Sequence, residues 1–100
     1  MEATITLFGQ SYDIEIKSDK YSNNNRLALS AYEKGTGDTF GDITVNVPYA
    51  QLEEDEICIK TWSENEWVNQ LLTLLPQHFK DTNRYVESGF VSAPIWKFTK

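Results

Sequence analysis

Six acidic residues fall within the fourteen positions of Glu53–Glu66, EEDEICIKTWSENE, around one lysine and one tryptophan. Carboxylates at that density can hold a cation, move protons or present a negative surface. A calcium loop spaces its carboxylates at alternating positions about a central glycine. The run Glu53, Glu54, Asp55, Glu56 is contiguous and has no glycine, so no metal ligation is expected there. Zinc takes four ligands, several of them Cys or His at close spacing. Cys58 and His78 are the only residues of those two types, and neither a structural metal nor a cofactor is expected. A Cys58–His78 nucleophilic pair would need the thiol in an accessible, polar setting. The surrounding Ile57-Cys58-Ile59 instead reads as a strand with a small buried hydrophobe, and His78 reads as a surface residue just beyond a helix, where it can meet the terminal carbonyls. Gly35-Thr36-Gly37 lacks the lysine and following helix of a phosphate loop and reads as a hairpin turn. No pair of carboxylates stands out for acid–base work, because desolvation picks out such pairs and is not written in the sequence.

The acidic stretch divides by chemistry. Ser63 followed by Glu66 matches the S-x-x-E capping box, with Trp62 and Trp67 placed to form a hydrophobic staple. Glu64 and Glu66 would also stand at the positive end of the helix dipole. These residues therefore predict a helix start. Glu53, Glu54, Asp55 and Glu56 have no such use: four adjacent like charges repel, and they make either a solvated turn or a surface that steers a basic partner. With Asp38 and Asp42, should the fold bring them near, they form the candidate binding residues.

The elements that position these groups follow from periodicity. Ala3, Ile5 and Leu7 alternate with Thr4 and Thr6, and Tyr12, Ile14 and Ile16 alternate with Asp13, Glu15 and Lys17, which predicts a β-hairpin. Ser18–Asn25, SDKYSNNN, reads as a polar loop. A second pair is expected from Leu27, Leu29 and Ala31, then the turn KGTGD, then Ile43, Val45 and Val47 alternating with Asp42, Thr44 and Asn46, ending at Pro48. Glu56–Lys60 reads as a short fifth strand. In ENEWVNQLLTLL, residues Trp67, Val68, Leu71, Leu72, Leu74 and Leu75 recur at helical spacing, which predicts a helix over about 64–75 that ends before Pro76. Tyr85–Phe98 reads as a last strand pair or one irregular strand, broken at Ser88-Gly89 and at Pro94. The fold class is α+β: a mainly antiparallel sheet of five to seven strands with one helix across one face, as a single domain over residues 1–100.

Composition narrows the function. The chain has 100 residues, 40% of them apolar, and a net charge of −6. Asp38–Glu66 holds eight carboxylates against Lys60 alone, or −7, so the remainder sums to +1. A phosphate-binding surface needs clustered Lys and Arg, and direct nucleic-acid binding is not expected. No apolar run approaches the ~20 residues that span a bilayer, and MEATITLFGQ has no basic leader segment, so no membrane association is expected. A single cysteine fits a reducing compartment, the cytoplasm. Among the aromatics, Tyr21 and Tyr49 are the candidates for an exposed interface.

Four segments, Arg26–Leu29, Ile43–Pro48 (ITVNVP), Asp55–Glu66 (DEICIKTWSENE) and Ser88–Ile95 (SGFVSAPI), together resemble a family of small uncharacterised proteins carried by bacteria, phages and mobile elements. The resemblance implies an accessory gene rather than a metabolic enzyme, and it supplies no catalytic residues. The leading expectation is a non-enzymatic module, monomeric or homodimeric, that binds a protein with a basic surface. One alternative is an acidic nucleic-acid mimic that inhibits a DNA-binding defence protein, which requires solvent-facing carboxylates in a row at phosphate-like spacing. Another is an enzyme of unrecognised type built from Cys58, His78 and aspartates, which requires a pocket that holds at least two of them. A third is a subunit that dimerises through a strand edge.

Overall fold

Seven antiparallel strands and one helical segment make up the computed structural model, which describes all residues of Met1–Lys100. Strands β1 (Glu2–Leu7), β2 (Gln10–Lys20), β3 (Leu27–Glu33) and β4 (Thr39–Asp42) form one sheet in sequential order. Strands β5 (Glu56–Cys58), β6 (Phe79–Ser88) and β7 (Val91–Phe98) form a second sheet, in the order β5-β7-β6. A single bridge between Thr44 and Ile59 joins the two. A 3-10 segment over Ser63–Asn69 runs into helix α1 over Gln70–Leu74. No helix is long and apolar enough to cross a membrane.

The first hairpin follows the expected alternation, with Ile5, Ile14 and Ile16 buried and their neighbours outward. Its two-residue turn is Phe8-Gly9, with Leu7 opposite Gln10 and both turn residues at positive φ. That is the backbone of a type I′ turn, whose twist matches the flanking strands. The Gly35–Gly37 turn joins β3 to β4 as expected, with Gly35 and Gly37 both at positive φ.

Four expectations need correction. The anticipated single sheet is two sheets. The strand read over 42–47 lies at Thr39–Asp42 instead, because Ile43 and Thr44 turn inward together as the chain crosses to the second sheet, and both are buried. β6 begins at Phe79, six residues before Tyr85, with a bulge between Asp81 and Arg84 that breaks the alternation. β7 runs through Pro94 without a break, because the missing N–H faces Ile59 just past the end of β5, where the Pro94 carbonyl still accepts from Ile59.

The helix start also differs. Ser63 has φ 62°, in the left-handed region, and no side-chain capping bond is made at the helix start. An N-cap residue needs an extended backbone, so the capping box does not form. The reason is packing. Trp62 lies against the cluster of Val47, Ala50, Cys58, Ala93 and Ile95, whereas Trp67 is buried in the main core. The chain must reverse between them, and the two tryptophans cannot staple together. Asn65 ties the reversal instead: its Nδ2 donates to the carbonyls of Asp42 (2.7 Å) and Lys60 (2.6 Å), and its Oδ1 accepts from Trp67 Nε1 (3.0 Å).

Trp67, Val68 and Leu71 enter the main core beside Ile5, Ile57, Ile59, Phe79 and Trp96, so residues of both sheets and of the helical segment share one apolar interior. Leu74, read as part of the buried stripe, is 43% exposed. Gln70 closes the edge of β1: its Oε1 accepts from Thr6 N–H and its Nε2 donates to Thr6 carbonyl, so that a side-chain amide stands in for a neighbouring strand. β5 and the part of β7 beside it are covered on both faces, whereas most of β6 is exposed. Ile57, Ile59, Trp96 and Phe98 face the main core, and Cys58, Ala93 and Ile95 lie under Val47 and Ala50 of the segment between β4 and β5.

Strand direction gives the molecule two distinct ends. One carries the turns Phe8-Gly9 and Gly35–Gly37, with Glu2 paired to Lys34 beside the latter, the β5-to-helix connection and the Gly89-Phe90 turn; the other carries the Tyr21–Arg26 loop, the acidic run Glu53–Glu56, the helix exit and the C-terminus.

Candidate functional site

The acidic run lies at the end that carries the Tyr21–Arg26 loop and the C-terminus, on a segment fixed to both sheets. From the loop end just before β3, the Arg26 guanidinium donates to the carbonyls of Val47 (2.8 Å) and Ala50 (2.5 Å). From β6, Arg84 Nη2 donates to Gln51 carbonyl (3.3 Å) and Nη1 to Glu56 Oε2 (2.7 Å). Glu56 Oε1 accepts from Glu53 N–H at 2.9 Å, and Glu56 N–H donates to Glu53 carbonyl at 3.1 Å. Phe98 N–H donates to Asp55 carbonyl at 2.8 Å.

Glu56 is thus unlike its three neighbours. Its side chain is 2% exposed, and a carboxylate removed from water costs several kcal/mol unless it is paired and hydrogen-bonded. The Arg84 guanidinium and the Glu53 amide meet that need. Glu53, Glu54 and Asp55 stay exposed. Asp55 lies 3.9 Å from Lys97 Nζ, both half-exposed, a contact worth well under ~1 kcal/mol. Glu53 and Glu54 have no ion-pair partner. A cleft of about 630 Å³ runs beside them, with Lys20, Arg26 and Lys100 among its lining. The surface is therefore three exposed carboxylates, two of them unpaired and one in a weak ion pair, bordered by cations.

Asp38 and Asp42 are elsewhere. Asp38 belongs to the β3–β4 turn at the opposite end. Asp42 ends β4, where its side chain accepts from Ser30 Oγ at 3.3 Å. The Thr44–Ile59 bridge extended by two residues sets Asp42 level with Thr61, six residues of extended chain from Asp55, or about 20 Å at ~3.3 Å per residue. The six candidate binding residues divide into an exposed trio, one buried structural acid and two distant aspartates.

Cys58 is 3% exposed, and burial pushes its thiol above the ordinary value, with the Glu56 charge adding to the rise and Arg26 opposing it. His78 Nδ1 is hydrogen-bonded to Thr99 carbonyl at 2.7 Å. No hydrogen bond joins the cysteine and the histidine. Of the two tyrosines read as exposed, Tyr49 is 67% exposed and its hydroxyl donates to Glu87 carbonyl. Tyr21 is half-buried: its hydroxyl lies 2.8 Å from Thr44 Oγ1 and is pushed above the ordinary tyrosine range, chiefly by burial.

The anchors Arg26 and Arg84 are not visible in the sequence as site residues. Their charges are isolated there, and the signal is only their distance: Arg84 stands 28 residues from Glu56. Protein families, curated proteins and solved structures gave no match to this chain.

Proposed function

We propose that the protein is a non-enzymatic binding module that engages a basic protein surface through Glu53, Glu54 and Asp55. The observation that carries this reading is the anchoring of the segment. A solvated, solubilising turn needs no fixed geometry. This one is held by two arginines, one buried carboxylate and a bond from β7, so the exposed carboxylates are ordered before any partner arrives, which lowers the entropic cost of association. Two of the three have no internal counter-charge to displace. Such a surface speeds encounter with a basic partner and loses strength with salt. The family resemblance adds an accessory setting, with the basic surface on another protein and no direct contact to nucleic acid.

The test is affinity capture from a bacterial lysate with the parent and with the triple variant Glu53→Gln, Glu54→Gln, Asp55→Asn, which leaves the buried Glu56 in place. A partner held by the parent, lost by the variant and released by salt supports the reading. Identical capture by both proteins overturns it.

A further inference from the structure

The end opposite the acidic run carries two phenylalanines that the fold does not use. Phe8 is 94% exposed and Phe90 fully so, each in a two-residue hairpin turn. Phe8 is also costly: it sits at φ 51°, the left-handed position of a type I′ turn where Asn, Asp or Gly is favoured and a bulky side chain is strained. An exposed residue that is strained and buries nothing is unfavourable for folding, so its use lies outside the fold.

A cleft of about 490 Å³ opens beside it, with Leu7, Phe8, Phe40, Trp62 and Trp67 as its apolar walls. The cleft is built rather than incidental. Phe40 meets Trp67 edge-to-face at 4.9 Å, and Asn65 holds the indole N–H. Gly41 makes room for the tryptophan, since a Cβ there would lie 3.0 Å from Trp67 Cζ2. Ser63, the second strained non-glycine at this end, borders the same cleft. Two charges also border it, Lys60 and the exposed Glu64, and neither has an ion-pair partner. Lys60 is the only cation within Asp38–Glu66. Apolar walls with a few polar groups at the rim are the composition of a ligand site.

We propose that this cleft docks a segment of a partner protein in which an apolar anchor side chain lies next to an acidic residue. The anchor covers Phe8 and fills the space between Phe40 and Trp62, and the acidic residue meets Lys60. Glu64 on the rim sets polarity, favouring a backbone amide or a basic residue on its side. A second copy of this chain is the poorer occupant, because each copy carries a net charge of −6 and like-charged surfaces repel.

Selection from a random peptide library on the immobilised parent, Phe8→Asn and Lys60→Glu proteins tests the assignment, with thermal melting to establish that each variant is folded. Asparagine suits the left-handed turn, so Phe8→Asn is expected to melt no lower than the parent while binding selected peptides at least tenfold more weakly. The parent is expected to enrich peptides with an aromatic or aliphatic residue beside Asp or Glu, and Lys60→Glu to enrich the same anchor beside Lys or Arg. Failure to enrich on the parent, or the same peptides on all three proteins, overturns the proposal. So does a concentration-dependent mass in sedimentation that Phe8→Asn abolishes, which would make a second copy the occupant.

Discussion

The two ends of the molecule spend exposed surface in opposite ways. At one end a polar segment is tied down by arginines so that three carboxylates are exposed to water, two of them without an ion-pair partner. At the other, aromatic side chains are left in water on hairpin turns, one of them in a strained conformation. The first arrangement adds bonds to a loop that would otherwise move; the second accepts a cost in order to expose apolar area. Neither is what folding alone would select, and the contrast separates residues that hold the structure from residues free to serve a partner.

The largest expected effect breaks the first arrangement. Arg84→Ala leaves the Glu56 carboxylate buried and half-satisfied. Removal of one partner of a buried pair costs 3–5 kcal/mol, and because Arg84 is itself half-exposed the expected loss is about 2–3 kcal/mol, read from urea denaturation. By contrast, Glu54→Gln on the exposed trio is expected to stay within about 0.5 kcal/mol of the parent. A loss in Glu54→Gln equal to that in Arg84→Ala would erase the distinction between holding and serving residues.

Next comes the seam between the sheets. Thr44 Oγ1 accepts from Leu29 N–H at 3.1 Å and is bonded to the Tyr21 hydroxyl. Thr44→Val strands a buried amide, with an expected cost of about 1–3 kcal/mol. At the aromatic end the sign reverses: Phe8→Asn relieves the left-handed strain and loses no burial, for a gain of about 0.5–1 kcal/mol. That gain, seen as a higher Tm, would mark Phe8 as a residue kept against stability.

The smallest effect is a pH dependence. The Cys58 thiol and the Tyr21 hydroxyl are both raised above their ordinary values of 9.0 and 10.0, so the folded state binds protons more tightly than the unfolded one. Their contribution is full below the unfolded values and is lost as pH rises through the folded ones. Stability should therefore decline once pH passes about 9, and Cys58→Ala should flatten the first part of that decline. A thiol reagent at pH 8 should react slowly with the native protein and rapidly in denaturant.

How much of this could be read from the sequence depends on which face of a strand is covered. In β1 to β3 one face meets the core, alternation survives, and Ile5, Ile14, Ile16, Leu29 and Ala31 are legible as core. In β5, Glu56, Ile57 and Cys58 are all buried. Strands covered on both faces lose their alternation, and the position of Glu56 follows from a cation 28 residues away. The S-x-x-E motif misleads for a related reason: capping is local chemistry, and the demand that Trp62 and Trp67 enter different clusters overrides it. Phe8 goes unnoticed because a phenylalanine between alternating apolar residues reads as strand, although Leu7 opposite Gln10 leaves only two residues to turn.

Native-state hydrogen exchange of Ala50, Glu53 and Glu56 tests most directly whether the acidic segment is held or merely solvated. Their amides bond Val47 carbonyl, Glu56 Oε1 and Glu53 carbonyl respectively. In the parent all three should exchange well below the rate of an unstructured chain, and in Arg84→Ala they should speed up while the amides of β2 and β3 keep their protection. Unprotected amides in the parent would mean that the segment is an ordinary mobile turn and that its carboxylates are not pre-positioned for a partner, whereas protection unchanged by the loss of Arg84 would mean that the Arg84–Glu56 pair is not what holds it.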